Sequence, residues 1–346
     1  MTDPTQPALR QLLDAQHGVL SATQACAHGY TRKHVQYLVE SGQWQRLLFG
    51  VYAVTTGPLS RPMSLRAALL YGGGAAILSH DTAAEEWGFL PIAPDSPTHI
   101  TVPYGRSAHH QSTTAIRRPT RPHEPVPRTG DTLHPGVVVH RSRAYDHISV
   151  PTDPPRTSLA DTAIDLAVAQ PTARQAYGSV IASVTNGGIQ LSRLRSRIAE
   201  RKPRRFNRAI DDACVAIAGG IQSVLESHYA VDVEQAHGLP DATRQGPVIV
   251  DGVTLYEDVT YSLSGMDTVV RLDGHKWHSS RKVRRRDRRR TNAATLAGTD
   301  QLVYGWEEVT DDPCAVADEV RTVLERSGWR GTNPCPNCAR SVPLVG

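Results

Sequence analysis

The sequence predicts an α/β chain of several domains: a small helical unit with a hairpin, an α+β middle domain and a C-terminal α/β sandwich. Three observations predict it. The 346 residues exceed what a single core commonly organises. Apolar residues near the N-terminus recur at helical spacing and then give way to short apolar runs around Gly50. Residues 221–324 alternate between helical and strand patterns, which implies helices layered on a sheet. The expected boundaries are 1–57, 58–215 and 216–330, with 331–346 as a flexible tail.

The first element is a helix with Leu9, Leu12 and Leu13 on one face, broken at Gly18-Val19-Leu20. Ser21 and Gln24 have the spacing of a capping box and open a second short helix. After a turn at His28-Gly29, Thr31 can cap a third helix in which Val35, Leu38 and Val39 share a face; Ser41-Gly42 ends it. Trp44 to Tyr52, with Gly50 between apolar pairs, reads as a two-stranded wing. Three short helices and a hairpin are the order of a winged helix-turn-helix, whose third helix enters the major groove. Arg32, Lys33 and Gln36, with Tyr37 beside them, point away from the apolar face and are the candidate DNA-binding residues. Arg and Gln suit bidentate contacts to guanine and adenine.

In the middle, residues 63–90 are Ala-rich and helical, with Ser79-His80-Asp81 as a helix entry and Trp87-Gly88 as its end. A cap with a solvated neighbour accounts for His80 and Asp81 better than chemistry does. Ile100-Thr101-Val102 and Val137-Val138-Val139 read as strands, and 105–135 as an exposed, mobile connection. Further helices follow from Arg156-Thr157-Ser158 onward, with breaks at Asn186-Gly187-Gly188 and Lys202-Pro203.

Ile221, Val224, Leu225 and Tyr229 begin the last domain as a helical stripe. Three strands follow, 248–250, 253–256 and 269–272, the first two joined by a tight turn at Asp251-Gly252. A basic helix from about 280 to 297 ends at Gly298, before a strand at 301–304 and a helix at 316–324. This is the element order of a restriction-endonuclease-like core. Its central strand ends in Asp273-Gly274, His278 follows, and cations crowd the next helix. Carboxylates at a strand end hold a divalent ion and cations hold phosphates.

Formal net charge is only +4, so charge distribution says more than the total. Between Arg281 and Arg290 the basic run is interrupted by a single acid, Asp287, and it reads as a nucleic-acid footprint. Arg284, Arg285, Arg288 and Arg289 are its candidate phosphate contacts. A second cluster, Arg201, Lys202, Arg204, Arg205 and Arg208, suits a footprint or a solvated face equally. The five cysteines are odd in number and scattered, which argues against a disulfide framework. Cys335-Pro336-Asn337-Cys338 is half a zinc ribbon without a second cysteine pair, and the expectation is a reduced, solvated tail. No secretory signal or membrane-crossing apolar stretch is visible, so a soluble, cytoplasmic protein is expected.

Gly18-Val19-Leu20-Ser21 and Gly50-Val51-Tyr52 resemble the winged-helix domain of AbiEi-type antitoxins. The Arg156-Thr157-Ser158-Leu159-Ala160-Asp161 stretch is similar to a pattern in the same proteins. That resemblance implies autoregulatory binding to double-stranded DNA, with a toxin protein as the cognate partner. Residues 221–330 resemble the Vsr-like branch of the PD-(D/E)xK nucleases in Leu225-Glu226-Ser227, Asp258-Val259, Leu272-Asp273-Gly274, Trp277-His278, Arg286-Asp287, Asn292-Ala293-Ala294 and Tyr304-Gly305-Trp306.

This second resemblance implies an acidic centre of Glu226, Asp258 and Asp273. Asp258 and Asp273 would hold Mg2+, and His278 would act as acid or base. The chain departs from that pattern twice. Arg271 stands where an acidic ligand is expected, and Arg290-Thr291-Asn292 replaces Arg-Asp-Asn. A divalent ion and a guanidinium about 4 Å apart repel by roughly 8 kcal/mol at an effective dielectric of about 20. The expectation is an antitoxin-like DNA-binding regulator carrying a degenerate nuclease domain. The alternatives are an active metal-dependent endonuclease in phage defence or repair, and a protein-interaction module.

Overall fold

The computed structural model describes residues 7–115, 132–250, 252–263, 266–273, 281–332 and 335–338, without the side chains of 266 and 281–287. The chain divides into two compact units, Met1–Gln170 with Asn186–Arg205, and Pro171–Thr185 with Phe206–Gly346.

The first unit opens with α1 (Pro7–Ala15), β1 (Val19–Ser21), α2 (Ala22–Ala27), α3 (Arg32–Glu40), β2 (Gln45–Leu48) and β3 (Val51–Ala53). The Ser21–Gln24 capping box forms in both directions, and Thr31 caps α3 by accepting from the His34 amide. Leu9, Leu20, Tyr30, Val35, Leu38 and Trp44 close a small core. The strands form one antiparallel sheet in the order β1-β3-β2. Its third member, β1, comes from the Val19-Leu20 stretch that reads locally as a helix break. Gly18 and Gly50 have positive φ, which bends the chain into and out of this sheet.

The unit continues with α4 (Arg61–Gly72), β4 (Ile77–Leu78), α5 (His80–Trp87), β5 (Thr98–Pro103), β6 (Thr114–Ala115), β7 (Thr132–His134) and β8 (Val137–Ser142). Then come α6 (Tyr145–Ile148), β9 (Ser149–Val150), β10 (Arg156–Thr157) and α7 (Leu159–Ala169). A five-stranded sheet runs β8-β5-β4-β10-β9, with β5 and β8 parallel. Leu47, Leu48 and Val51 of the hairpin share one core with α4, β5 and β8. Of the 105–135 connection, 116–131 lie outside the described residues; Thr114 and His134 pair across β6 and β7.

After α8 (Ala173–Gly187), which belongs to the second unit as far as Thr185, α9 (Leu191–Arg201) returns to the first. Two of its arginines, Arg197 and Arg201, face inward, while Arg193 and Arg195 are exposed. Asp161, fully buried, accepts from Arg197 Nε at 3.0 Å and Arg201 Nη1 at 3.2 Å, while Arg201 Nη2 reaches Asp165 at 2.8 Å. Arg205 bonds the Val168 carbonyl. The 201–208 cluster is therefore no uniform solvated or phosphate-binding face: Arg201 satisfies buried carboxylates, which cost more free energy unpaired than surface groups do, while Arg205 stays exposed.

The helix entry at Ser79 also departs from expectation. Ser79 makes no side-chain cap, and His80 stacks on His140 with ring centroids 3.6 Å apart. His99 Nδ1 lies 3.1 Å from His140 Nε2. The imidazoles are packed, not solvated.

The second unit contains α10 (Asn207–Ala218), α11 (Val224–His228), a π-helical stretch (Tyr229–Gln235), β11 (Thr243–Val250), β12 (Val253–Leu263) and β13 (Met266–Asp273). It ends with α12 (Arg281–Leu296), β14 (Asp300–Gly305), α13 (Trp306–Asp311) and α14 (Pro313–Arg326). The sheet runs β11-β12-β13-β14, antiparallel except for the parallel β13–β14 pair. A parallel pair requires a crossover, and the basic helix α12 is that crossover. Tyr229, Val233, Val259, Tyr261, Val270 and Val320 lie in the core beneath α11 and α14. Within it Tyr229 and Tyr261 share a hydroxyl contact of 3.0 Å, and Tyr261 donates to Glu234 at 2.7 Å.

Burial lowers the pKa of His80, His99 and His140, the last to about 4. The unfolded chain therefore takes up these protons first. The three imidazoles contribute stability that is present above pH of about 6.5 and lost as pH falls toward 4. Asp165, raised by burial to about 6, acts in the opposite sense between its ordinary value and pH 6. In an NMR titration, the His140 ring resonance should show a midpoint near 4. A midpoint at the ordinary value of about 6.5 would contradict the packed arrangement.

Candidate nucleic-acid interface and acidic centre

In the first unit, the sequence places Arg32 and Lys33 in the opening turn of α3, and both are exposed. The helix dipole disfavours cations at this end, typically by ~0.3–1 kcal/mol. A phosphate lying there would meet both the cations and the free amides of the first turn. Val35 and Leu38 anchor the opposite face in the core. Gln36 is exposed, but its amide donates to Glu40 at 2.7 Å, so base contact requires breaking that bond. Tyr37 is 60% exposed beside it. At the hairpin tip Phe49 is 73% exposed, with Arg46 lying 5.4 Å over its ring.

In the second unit, Glu226 sits in the first turn of α11, buried, where it accepts the Gln222 amide at 2.9 Å. Burial raises its pKa, and the charge of Asp258 adds to the rise. Asp258 lies on β12 and accepts the Leu272 amide at 2.9 Å. Burial raises its pKa too, against the pull of that amide and of Arg290. The fold thus brings Glu226 into the field of Asp258. Asp273 stands exposed at the end of β13, in register with Gly305 of β14. His278 lies outside the described residues, as do the side chains of Arg284 and Arg285. Arg288 and Arg289 are exposed on α12.

The residue that sequence reasoning missed is Glu257. It is buried and held by a two-pronged contact from Arg271, Nε to Oε2 at 2.8 Å and Nη2 to Oε1 at 2.9 Å. Arg290 of α12 adds a third contact to the same carboxylate at 2.8 Å and bonds the Tyr256 carbonyl. The remaining nitrogen of Arg271, Nη1, donates to Thr291 Oγ1 at 3.1 Å. Despite burial, the two arginines pull the Glu257 pKa below its ordinary value. A signal for this pairing did exist. A lone cation inside the apolar run Val269-Val270-Arg271-Leu272 requires a buried anion, and Glu257 is the acid next to Asp258 on the neighbouring strand.

The donor set suits a divalent ion poorly. Glu226 and Asp258 each accept a backbone amide, Glu257 is occupied by guanidinium groups, and Arg271 supplies positive charge to the same neighbourhood. Among the described residues, these carboxylates do not gather three ligand atoms within 4.8 Å of one another.

Comparison with known proteins bears on the N-terminal segment. No curated protein matches the chain. Among solved structures, the crystal structure of RV2827C protein from Mycobacterium tuberculosis shares 14% identity over 59% of this chain and 75% of its own. The TM-score is 0.35, a level that carries no argument about this fold. Residues 7–55 match the family described as "Transcriptional regulator, AbiEi antitoxin", a span that runs from α1 through β3. The chain therefore carries an AbiEi-type domain at its N-terminus.

Proposed function

We propose that this protein is an antitoxin-like transcriptional regulator. In this reading it binds duplex DNA through α3, in the manner of a winged helix, and its second unit is a nuclease-like fold that does not cleave. The observation that carries the DNA-binding reading is the pair of exposed cations, Arg32 and Lys33, at the capped start of α3 within the AbiEi-matching segment. The antiparallel β1-β3-β2 sheet beside α3 supports the winged-helix assignment. A cognate toxin protein is the partner that an antitoxin implies. No helix among the described residues is long and apolar enough to cross a membrane. A cytoplasmic site of action belongs to the same reading.

The non-cleaving assignment rests on how the two departures from the Vsr-like pattern meet. Arg271 and Thr291 both stand where that pattern has acids, and they are hydrogen-bonded to each other. Two lost carboxylates have become one donor–acceptor contact beside the Arg271–Glu257 pair. The exposed Arg288 and Arg289 leave α12 able to hold a phosphate backbone without chemistry. The charge of Asp258 acting on Glu226 favours the second reading, a metal-dependent endonuclease.

Two experiments separate these readings. Binding to DNA from around the protein's own gene should weaken as salt rises, through counterion release. Replacing Arg32 and Lys33 together with Ala should cut affinity at least tenfold. It should also lower the slope of log affinity against log salt by about 2. Unchanged affinity and slope would remove α3 as the reader. Second, purified protein with Mg2+ or Mn2+ should leave plasmid DNA intact. Nicking that disappears in Asp258→Ala and rises in Arg271→Glu would establish the endonuclease instead.

A further inference from the structure

The C-terminal cysteines are not a solvated pair. Cys335 is 7% exposed, and its sulfur lies 4.0 Å from Sγ of Cys314. Cys314 occupies the first turn of α14. On its other side lies Nε2 of His237, 3.4 Å from Cys314 Sγ. His237 is 1% exposed and follows the π-helical stretch. One ligand atom from each of His237, Cys314, Cys335 and Cys338 lies within 4.8 Å of all the others.

We propose that His237, Cys314, Cys335 and Cys338 bind one structural zinc ion. This inference is independent of the DNA-binding reading. With Zn–S bonds of about 2.3 Å, the sulfurs of a tetrahedral site stand roughly 3.8 Å apart. The observed 4.0 Å fits that edge and is about twice a disulfide bond. Three thiolates and one imidazole form a soft donor set that selects zinc over magnesium or calcium.

The surrounding contacts are those a zinc site requires. His237 Nδ1 is 2.9 Å from the Val233 carbonyl, which places the proton on Nδ1 and leaves the Nε2 lone pair facing the sulfurs. The backbone amides of Asn337 and Cys338 donate to Cys335, as in a Cys-x-x-Cys knuckle. Arg321 of α14 bonds the His237 carbonyl at 2.9 Å and lies 5.2 Å over the Trp329 ring. It joins the helix bearing Cys314 to the turn bearing His237. Four protein ligands close the coordination sphere, so the role is structural and no position is left for a reacting water. Binding converts three thiols to thiolates and releases three protons, with no change of oxidation state. The zinc would fasten the Cys335–Cys338 segment to α14 and to the end of the π-helical stretch.

Metal analysis of the full chain, purified under reducing conditions without added metal, should find one zinc per molecule. The control Cys26→Ser, whose cysteine is exposed in the first unit, should retain it. Cys338→Ser and Cys335→Ser should each lose at least tenfold in zinc affinity. Substitution with cobalt(II) should give the intense visible bands of a tetrahedral thiolate site, attenuated in Cys338→Ser. A zinc-free wild-type protein that gives no such bands with cobalt(II) would overturn the proposal. So would weak metal binding that persists unchanged in Cys338→Ser, since that would be adventitious. Should the variants misfold, chelation of the wild type provides the second test: its Tm should fall and return with Zn2+ but not Mg2+. A Tm indifferent to chelator would count against the site.

Discussion

Glu257 and the two arginines that hold it set the terms for the second unit. Removing a carboxylate from water costs several kcal/mol, and the cost is recovered only when its hydrogen-bonding capacity is met. Arg271 meets both oxygens from the neighbouring strand, and Arg290 reaches one of them from α12. The regular pairing of β12 with β13 extends from Leu263–Met266 to Val259–Val270. Beyond it the side chains continue the connection, through this ion pair and the bond from the Leu272 amide to Asp258. The cluster therefore joins β12, α12 and β13 near the C-terminal end of β13. In an α/β fold this is also where a catalytic centre would sit. An arginine there serves stability and opposes cation binding through the same charge.

A parallel arrangement exists in the first unit. Asp161 is fully buried and held by Arg197 and Arg201, both from α9. In each unit a buried acid on one element is matched by two arginines, at least one of them on a helix distant in sequence. Such clusters add little net stability when whole, yet breaking one partner leaves an uncompensated charge. They specify which helix docks on which element. That explains why arginine runs in this chain are poor guides to nucleic-acid contact. Arg201, Arg271 and Arg290 are committed to internal acceptors, whereas Arg32, Lys33 and Arg288 lie exposed.

What the sequence made legible was local. The capping box at Ser21–Gln24, the Thr31 cap, the apolar face of α3 and the order of elements from α11 to α14 follow from spacing within a few residues. What it hid was non-local. Arg271 stands out as a misplaced cation, but its partner lies 14 residues away on another strand. Cys335 and Cys338 read as half a metal site because His237 and Cys314 come from two other elements at no characteristic spacing. The strand β1 is three residues long and forms only through pairing with β3. Ser79 precedes a helix with the right residue type, yet its burial, and the stacking of His80 on His140, are set by tertiary packing.

The central claim is that the Glu257–Arg271 pair is a structural clamp of the second unit. A double-mutant cycle in denaturant unfolding tests it most directly, with Glu257→Gln, Arg271→Gln and the double variant beside the wild type. If the clamp holds the second unit together, each single substitution costs ~3–5 kcal/mol and the double costs well under their sum. Singles that cost under ~1 kcal/mol and combine additively would mean the pair is incidental, and would contradict the account.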